Sequence, residues 1–459
     1  RSWTRHDAAH LLRRTGFGAT VTEIDRAVDE GLEATLQRRL APQPESKEFD
    51  QVARLLRKTA HQTGSIGDLK AWWFYRMRYT ANSLVERMAL LWHDHFATSY
   101  GKVQSVKQMA AQNDAFRRHA LGDFRELLHE MSRDVAMLVW LDGNANRKRH
   151  PNENFAREVM ELFSLGIGNY TEADIIEAAR AFSGWHVRKG EFWFNELQHD
   201  TGEKTVFGRT GNLNGDDVIE LCLEQPACPR FIAVKLLRYF VQPEPQEELI
   251  AALADRIQAH NFQITPVLGE LFRSRAFWAE SSRLALIKSP VDLVVGSQRA
   301  LEVAFWAESS RLALIKSPVD LVVGSQRSLE VRSNLNASAE ALAKLGQDLF
   351  QPPTVKGWDG GRDWISTTTM ILRINFATEL AGGERFGEMP HPAALARQLG
   401  AGSREEVVTQ IAAFLLGREP ATEETHELAA AYQQAGGDRT ARIRSLLQIV
   451  LSTPDYQLT

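Results

Sequence analysis

Apolar residues recur at helical spacing along nearly the whole chain, and that recurrence restricts the fold more than any other feature of the sequence. Leu84, Val85, Met88, Leu91 and Trp92 follow Ser83, which stands three residues before Glu86 as a capping-box start. Ile175, Ile176, Ala179 and Phe182 follow Thr171 and Asp174 in the same way. Ser289-Pro290 and Ser317-Pro318 each set an N-cap before a proline at the first helical position. Strand-like alternation is confined to about 186–211, where EFWFN and KTVFG suit a small β-hairpin. The expectation is a mostly α protein. A large helical domain spans 1–380 and carries the hairpin as an insertion. A Gly- and Pro-rich linker follows at 381–392, then a helical C-terminal extension at 393–459.

Residues 276–303 and 304–331 are the same 28-residue block, with Ala300 replaced by Ser328. Solenoids stack three or more units that have usually diverged. Two nearly identical copies point instead to a recent duplication or an error of sequence assembly, and one copy is surplus to the fold.

A net charge of −4, with Lys and Arg spread along the chain, argues against a nucleic-acid protein, whose affinity comes from clustered phosphate contacts. No apolar run reaches the ~18 residues that a transmembrane segment needs. The chain opens at Arg1 without an initiator Met or a leader pattern, as a mature exported form or a fragment would. Cys222 and Cys228 flank Pro226 closely enough to bridge in an oxidising compartment, and equally suit two part-buried thiols.

Polar residues crowd one loop-to-helix junction, WLDGNANRKRHPNENFAREVMELFSLGIG. On the helix after Pro151, Phe155, Ala156, Val159, Met160, Leu162 and Phe163 form an apolar face, while Asn154, Glu158 and Glu161 form a polar stripe with Arg157 beside it. Two carboxylates one turn apart, next to Arg and Asn, suit a divalent metal or an acid–base pair. They equally suit a solvated face with Arg157 and Glu161 as an i,i+4 pair. In the loop before, Asp142, Asn144, Asn146 and Glu153 occupy positions 1, 3, 5 and 12 of a calcium-loop template. Arg147 stands where that template needs glycine.

His93 and His95 in LLWHDHF are candidate metal ligands to complete a shell with Glu158 and Glu161. On a helix they point about 160° apart, so one of them at most joins that shell, and a buried, hydrogen-bonded His95 is the plainer reading. His199-Asp200 and Lys204 are weak catalytic candidates, since adjacent residues rarely face each other. Trp358 and Trp364, in PPTVKGWDGGRDWIST, offer either stacking platforms for a sugar or anchors for a long loop. The G-x-S-x-G, H-E-x-x-H, Walker and G-x-G-x-x-G fingerprints are absent.

Read in order, AAHLLRRTGFGAT, LLWHDHFATS, PNENFAREVMELFSLGIGNYTEADI, ARAFSGW, HDTGEKTVFG, LGQDLFQPPTVKGWDGGRDW and LSTPDYQL resemble a bacterial family known as domain of unknown function 1800. The resemblance runs over nearly the whole chain. It implies a periplasmic or secreted bacterial protein, with another exported protein of the alkaline-phosphatase or sulfatase type as partner. It implies no activity, cofactor or catalytic residue, and the KSPVDLVVGSQR-type segment occurs once in it. Three functions follow as expectations: a metal-assisted enzyme with its site at residues 152–161, a non-enzymatic envelope binding or assembly protein whose PNEN motif is a structural hydrogen-bond network, and a carbohydrate-binding protein.

Overall fold

The computed structural model describes residues 3–283, 285–301, 335–382, 385–386 and 392–458. It is 66% helical, about twice the ordinary share, with 22 helices among the described residues and two small two-stranded antiparallel sheets. None of the described helices is long and apolar enough to cross a membrane. The single expected hairpin is two. Trp185–Arg188 pairs with Glu191–Phe194, and Lys204–Val206 pairs with Arg209–Gly211, so EFWF and KTV each find a nearer partner than one another.

Local signals set most of the helix starts. The Thr171/Asp174 and Ser289/Asp292 capping boxes both form, the second ahead of the Pro290–Ala300 helix with proline in its first turn. Ser317-Pro318 and the second copy of the duplicated block lie outside the described residues. The Ser83 box does not form: Asn82 holds the cap position, and Glu86 turns into the core instead. There its carboxylate, fully buried, accepts from Trp73 Nε1 at 3.1 Å, Arg76 Nε at 2.8 Å and Arg117 Nε at 2.6 Å. Burial alone would raise its pKa, but Arg117 and Arg76 outweigh burial and hold it at about 2.

Around that charge cluster the core is aromatic, with Trp72, Trp73, Trp92, Phe74, Phe96, Phe116 and Phe124 almost fully enclosed. The C-terminal helices pack onto this body. Arg13 donates to the carbonyls of Phe414 and Leu416 at the end of the Arg404–Leu416 helix, and Tyr456 meets Ser297 at 2.8 Å. Cys222 and Cys228 are free and buried, so the two-thiol alternative holds and no bridge spans Pro226. Burial pushes the Cys222 thiol up to about 12.

Candidate functional site

The junction read from sequence divides into two halves. In the first, asparagines tie backbone to backbone. Asn146, 1% exposed, donates its side-chain amide to Ala179 O at 2.9 Å and accepts from the Asn152 N–H at 3.0 Å. Asn152 in turn donates to Asp142 O at 3.0 Å and caps the Glu153–Met160 helix by accepting from Asn154 N at 3.1 Å. Asn154 donates to Leu141 O at 3.4 Å. These bonds satisfy carbonyls and N–H groups of an irregular loop that would otherwise be lost to burial. The calcium template is spent on other work. Asp142 pairs with Lys102 at 2.8 Å, Asn144 accepts from Val187 N at 2.5 Å, Asn146 serves the loop, and Glu153 is exposed beside Arg157 at 3.7 Å. The four side chains face four partners rather than one centre.

The second half carries the carboxylates. The Glu153–Met160 helix widens into a π-helical turn over Glu161–Leu165, closed by Gly166 N–H to Glu161 O at 3.0 Å. Ser164 Oγ stabilises the widening by donating to Val159 O at 2.6 Å, and Gly166 ends it with φ of 80°. Such single π turns gather at functional sites. Glu158 and Glu161 are both half-buried at this turn. Glu161 accepts the Tyr170 hydroxyl. Arg157 does not pair with Glu161 as its spacing suggested. It grips Glu172 through two bonds of 2.9 and 2.7 Å, because the widened turn rotates Glu161 toward Tyr170. Glu158 makes no hydrogen bond among the described residues. Burial, and then the charge of Glu161, push its carboxyl up to about 7 against the pull of Arg157 and Lys356.

Lys356 brings in a segment that sequence reasoning placed elsewhere. In the loop Lys356-Gly357-Trp358-Asp359, Gly357 has φ of 89° and lies directly on Asp94, the residue between the two candidate histidines. A Cβ at Gly357 would fall against the Asp94 carboxylate and 2.5 Å from its backbone oxygen, so only glycine permits this approach. The Trp358 N–H donates to Asp94 Oδ1 at 2.7 Å. Burial, with Asp359 adding, pushes Asp94 up to about 6, although Lys235 and the Trp358 N–H pull it down. Lys235, from the Ala227–Phe240 helix, is itself lowered by burial, with Asp94 opposing. Its ammonium sits 5.3 Å from the Phe231 ring centroid. Asp94, Lys235, Lys356 and Asp359 were missed from sequence. Asp94 was hidden between two more conspicuous histidines, and Lys235 follows no motif at all.

The histidines and tryptophans frame this region rather than join it. His93 is 1% exposed among Trp73, Phe350 and Trp358, its Nε2 has no partner among the described residues, and burial pushes it down to about 3. His95 bonds through Nε2 to Phe163 O at 3.0 Å, and burial holds it well below its ordinary value. Among the described residues no group of three or more His, Cys, Asp or Glu side chains is placed to hold a metal ion. His93, His95, Glu158 and Glu161 therefore do not assemble into the expected shell, because each imidazole points into its own aromatic nest. Trp358 and Trp364 are each 8% exposed, so they anchor the loop and offer no open stacking face. His199 bonds to Ser183 O at 2.8 Å and Asp200 pairs with Arg180 at 2.8 Å, both at the end of the Glu172–Ala181 helix, while Lys204 donates to Gly202 O at 2.9 Å within its own turn.

Comparison with curated proteins and with solved structures finds no match. A family model does match, over residues 10–458, and its description is Protein of unknown function (DUF1800). The chain belongs to that family.

Proposed function

We propose that the protein is an enzyme that works by general acid–base catalysis with carboxyl groups, Glu158 and Asp94 being its proton-transferring pair. One observation carries this reading. A single loop, Lys356 to Asp359, closes on Asp94 through Gly357 and Trp358 and sets Lys356 toward Glu158. Two partly buried carboxyls on separate elements thus each face this one loop, Asp94 through the Trp358 N–H and Glu158 through the charge of Lys356. Both titrate near neutrality, where a side chain can give or take a proton at little cost. Glu161 would keep Glu158 protonated until substrate binds, Tyr170 would fix Glu161, and Lys235 would balance Asp94. Arg157 and Asn154 would hold the helix start. No metal is needed for this chemistry. A periplasmic or secreted location and an exported hydrolase of the alkaline-phosphatase or sulfatase type as partner belong to the same proposal, and they rest on the family resemblance alone.

The test is turnover of chromogenic glycosides, carboxylic esters and phosphoesters between pH 5 and 8. The native chain, Glu158→Gln and Glu153→Gln are compared. The proposal expects a rate that changes through pH ~7 and falls at least ~100-fold in Glu158→Gln but not in Glu153→Gln, the usual worth of an acid–base group. Equal rates in both variants, or no turnover by the native chain, would overturn it. The second reading, a non-enzymatic assembly protein, has one observation in its favour: the Asn146–Asn152–Asn154 bonds are all spent on backbone.

A further inference from the structure

A second concentration of buried charge lies where the Arg5–Arg14 helix, the Pro290–Ala300 helix and the chain's C-terminal turn meet. Arg14 is fully buried, donates to Ser282 O, and leaves its Nε and one Nη without partners among the described residues. Arg87 is 2% exposed and bonds to Asp292 and to Gly16 O. Arg373 is 1% exposed and donates to Lys288 O at 3.0 Å and Gln457 Oε1 at 3.1 Å. The Lys288 ammonium lies 3.4 Å from the Tyr456 ring centroid and has no hydrogen-bond acceptor among the described residues. Asp292 is the one carboxylate coupled to Arg14, Arg87, Lys288 and Arg373 among the described residues. Arg87 holds one of its oxygens and the Ser289 cap holds the other.

Carbonyls, Asp292 and a ring face occupy only part of these donors, and among the described residues the positive charge of the cluster exceeds the negative. Burying cations in such excess is unfavourable unless a counter-charge is supplied. Beside them is a cavity of about 30 Å³ lined by Arg13, Lys288, Asp292, Tyr456, Gly18 and Gly296. Gly18 and Gly296 meet backbone to backbone, so that wall carries no side chain. The space suits two or so water-sized groups. Arg13 spends its fork on the carbonyls of the helix end and retains donors beyond them.

We propose that this cavity is a binding site for a small anion, a carboxylate or a halide, held between the Lys288 ammonium and the Arg13 guanidinium. Burial first, and then Arg13, press the lysine to lose its proton, with Asp292 opposing and Arg373 adding to the pressure. An entering anion supplies the missing negative charge and completes the cluster. The site is separate from the Glu158–Asp94 junction and stands whether or not that junction is catalytic.

Isothermal titration of the full chain with sodium formate and with sodium chloride tests it. Ionic strength is held constant with a bulky sulfonate. The proposal expects saturable binding of at least one of the two anions, weakened at least tenfold in Lys288→Met. That variant removes a buried charge without emptying the site, so the chain should still fold. Ala300→Leu, which fills the same cavity wall without touching a charge, should weaken binding equally. Absence of saturable heat with both anions, or binding unchanged in the two variants, would overturn the proposal.

Discussion

Replacing Gly357 by alanine should uncouple the 356–359 loop from Asp94. Two costs combine. An L-residue held at φ of 89° carries strain of about 1–3 kcal/mol, and a new Cβ cannot share space with the Asp94 carboxylate. The loop must lift, and the 2.7 Å bond from Trp358 N–H to Asp94 goes with it, a charge-assisted bond worth about 1.5–3 kcal/mol. The expected loss is about 3–5 kcal/mol, read as a lower urea midpoint at unchanged slope by tryptophan fluorescence. Gly361→Ala in the same loop is the control. Its φ is 61°, but nothing lies within 4 Å of the added Cβ, so only strain of about 1–2 kcal/mol applies. If Gly357→Ala costs no more than Gly361→Ala, the close contact with Asp94 is not what holds the loop.

Asp94 and Glu158 have folded values of about 6 and about 7, above their ordinary 3.8 and 4.5. Their protonated forms therefore favour the folded chain: that contribution is complete below the ordinary values and is lost as pH rises through about 6 and then about 7. Denaturation at pH 4 to 8 should show this decline, and Asp94→Asn with Glu158→Gln should flatten it. Glu86→Gln should cost about 3–5 kcal/mol by leaving Arg76 and Arg117 facing each other across a neutral group, measured by urea unfolding at pH 7. In the native chain both cysteines should resist thiol reagents and become reactive only on unfolding, whereas a non-reducing mass two units low would mean a bridge.

Helix identity was legible because caps and apolar spacing are local properties. Thr171 with Asp174, and Ser289 with Pro290 and Asp292, needed no tertiary information. The Ser83–Glu86 pair has the same local form, yet Glu86 was claimed by two arginines from other helices, a long-range competition no local pattern reports. The polar crowding of the junction at 152–161 is visible in the sequence, but its inner division is not. Asn146 and Asn152 answer to carbonyls 33 and 10 residues away, and Glu158 is tuned by Glu161 through a π turn that residue spacing does not reveal. The histidines are more conspicuous in the sequence than Asp94 between them, which receives the Trp358 N–H. A helix hides which of three neighbouring side chains hydrogen-bonds a loop arriving some 260 residues later.

A titration of side-chain carboxyl carbons by ¹³C NMR, with Glu158→Gln and Asp94→Asn used for assignment, tests the acid–base pair most directly. The acid–base reading predicts one glutamate with a midpoint at about 7 and one aspartate at about 6, each lost in its variant. Both groups titrating at their ordinary 4.5 and 3.8 would contradict it and leave the junction as scaffold.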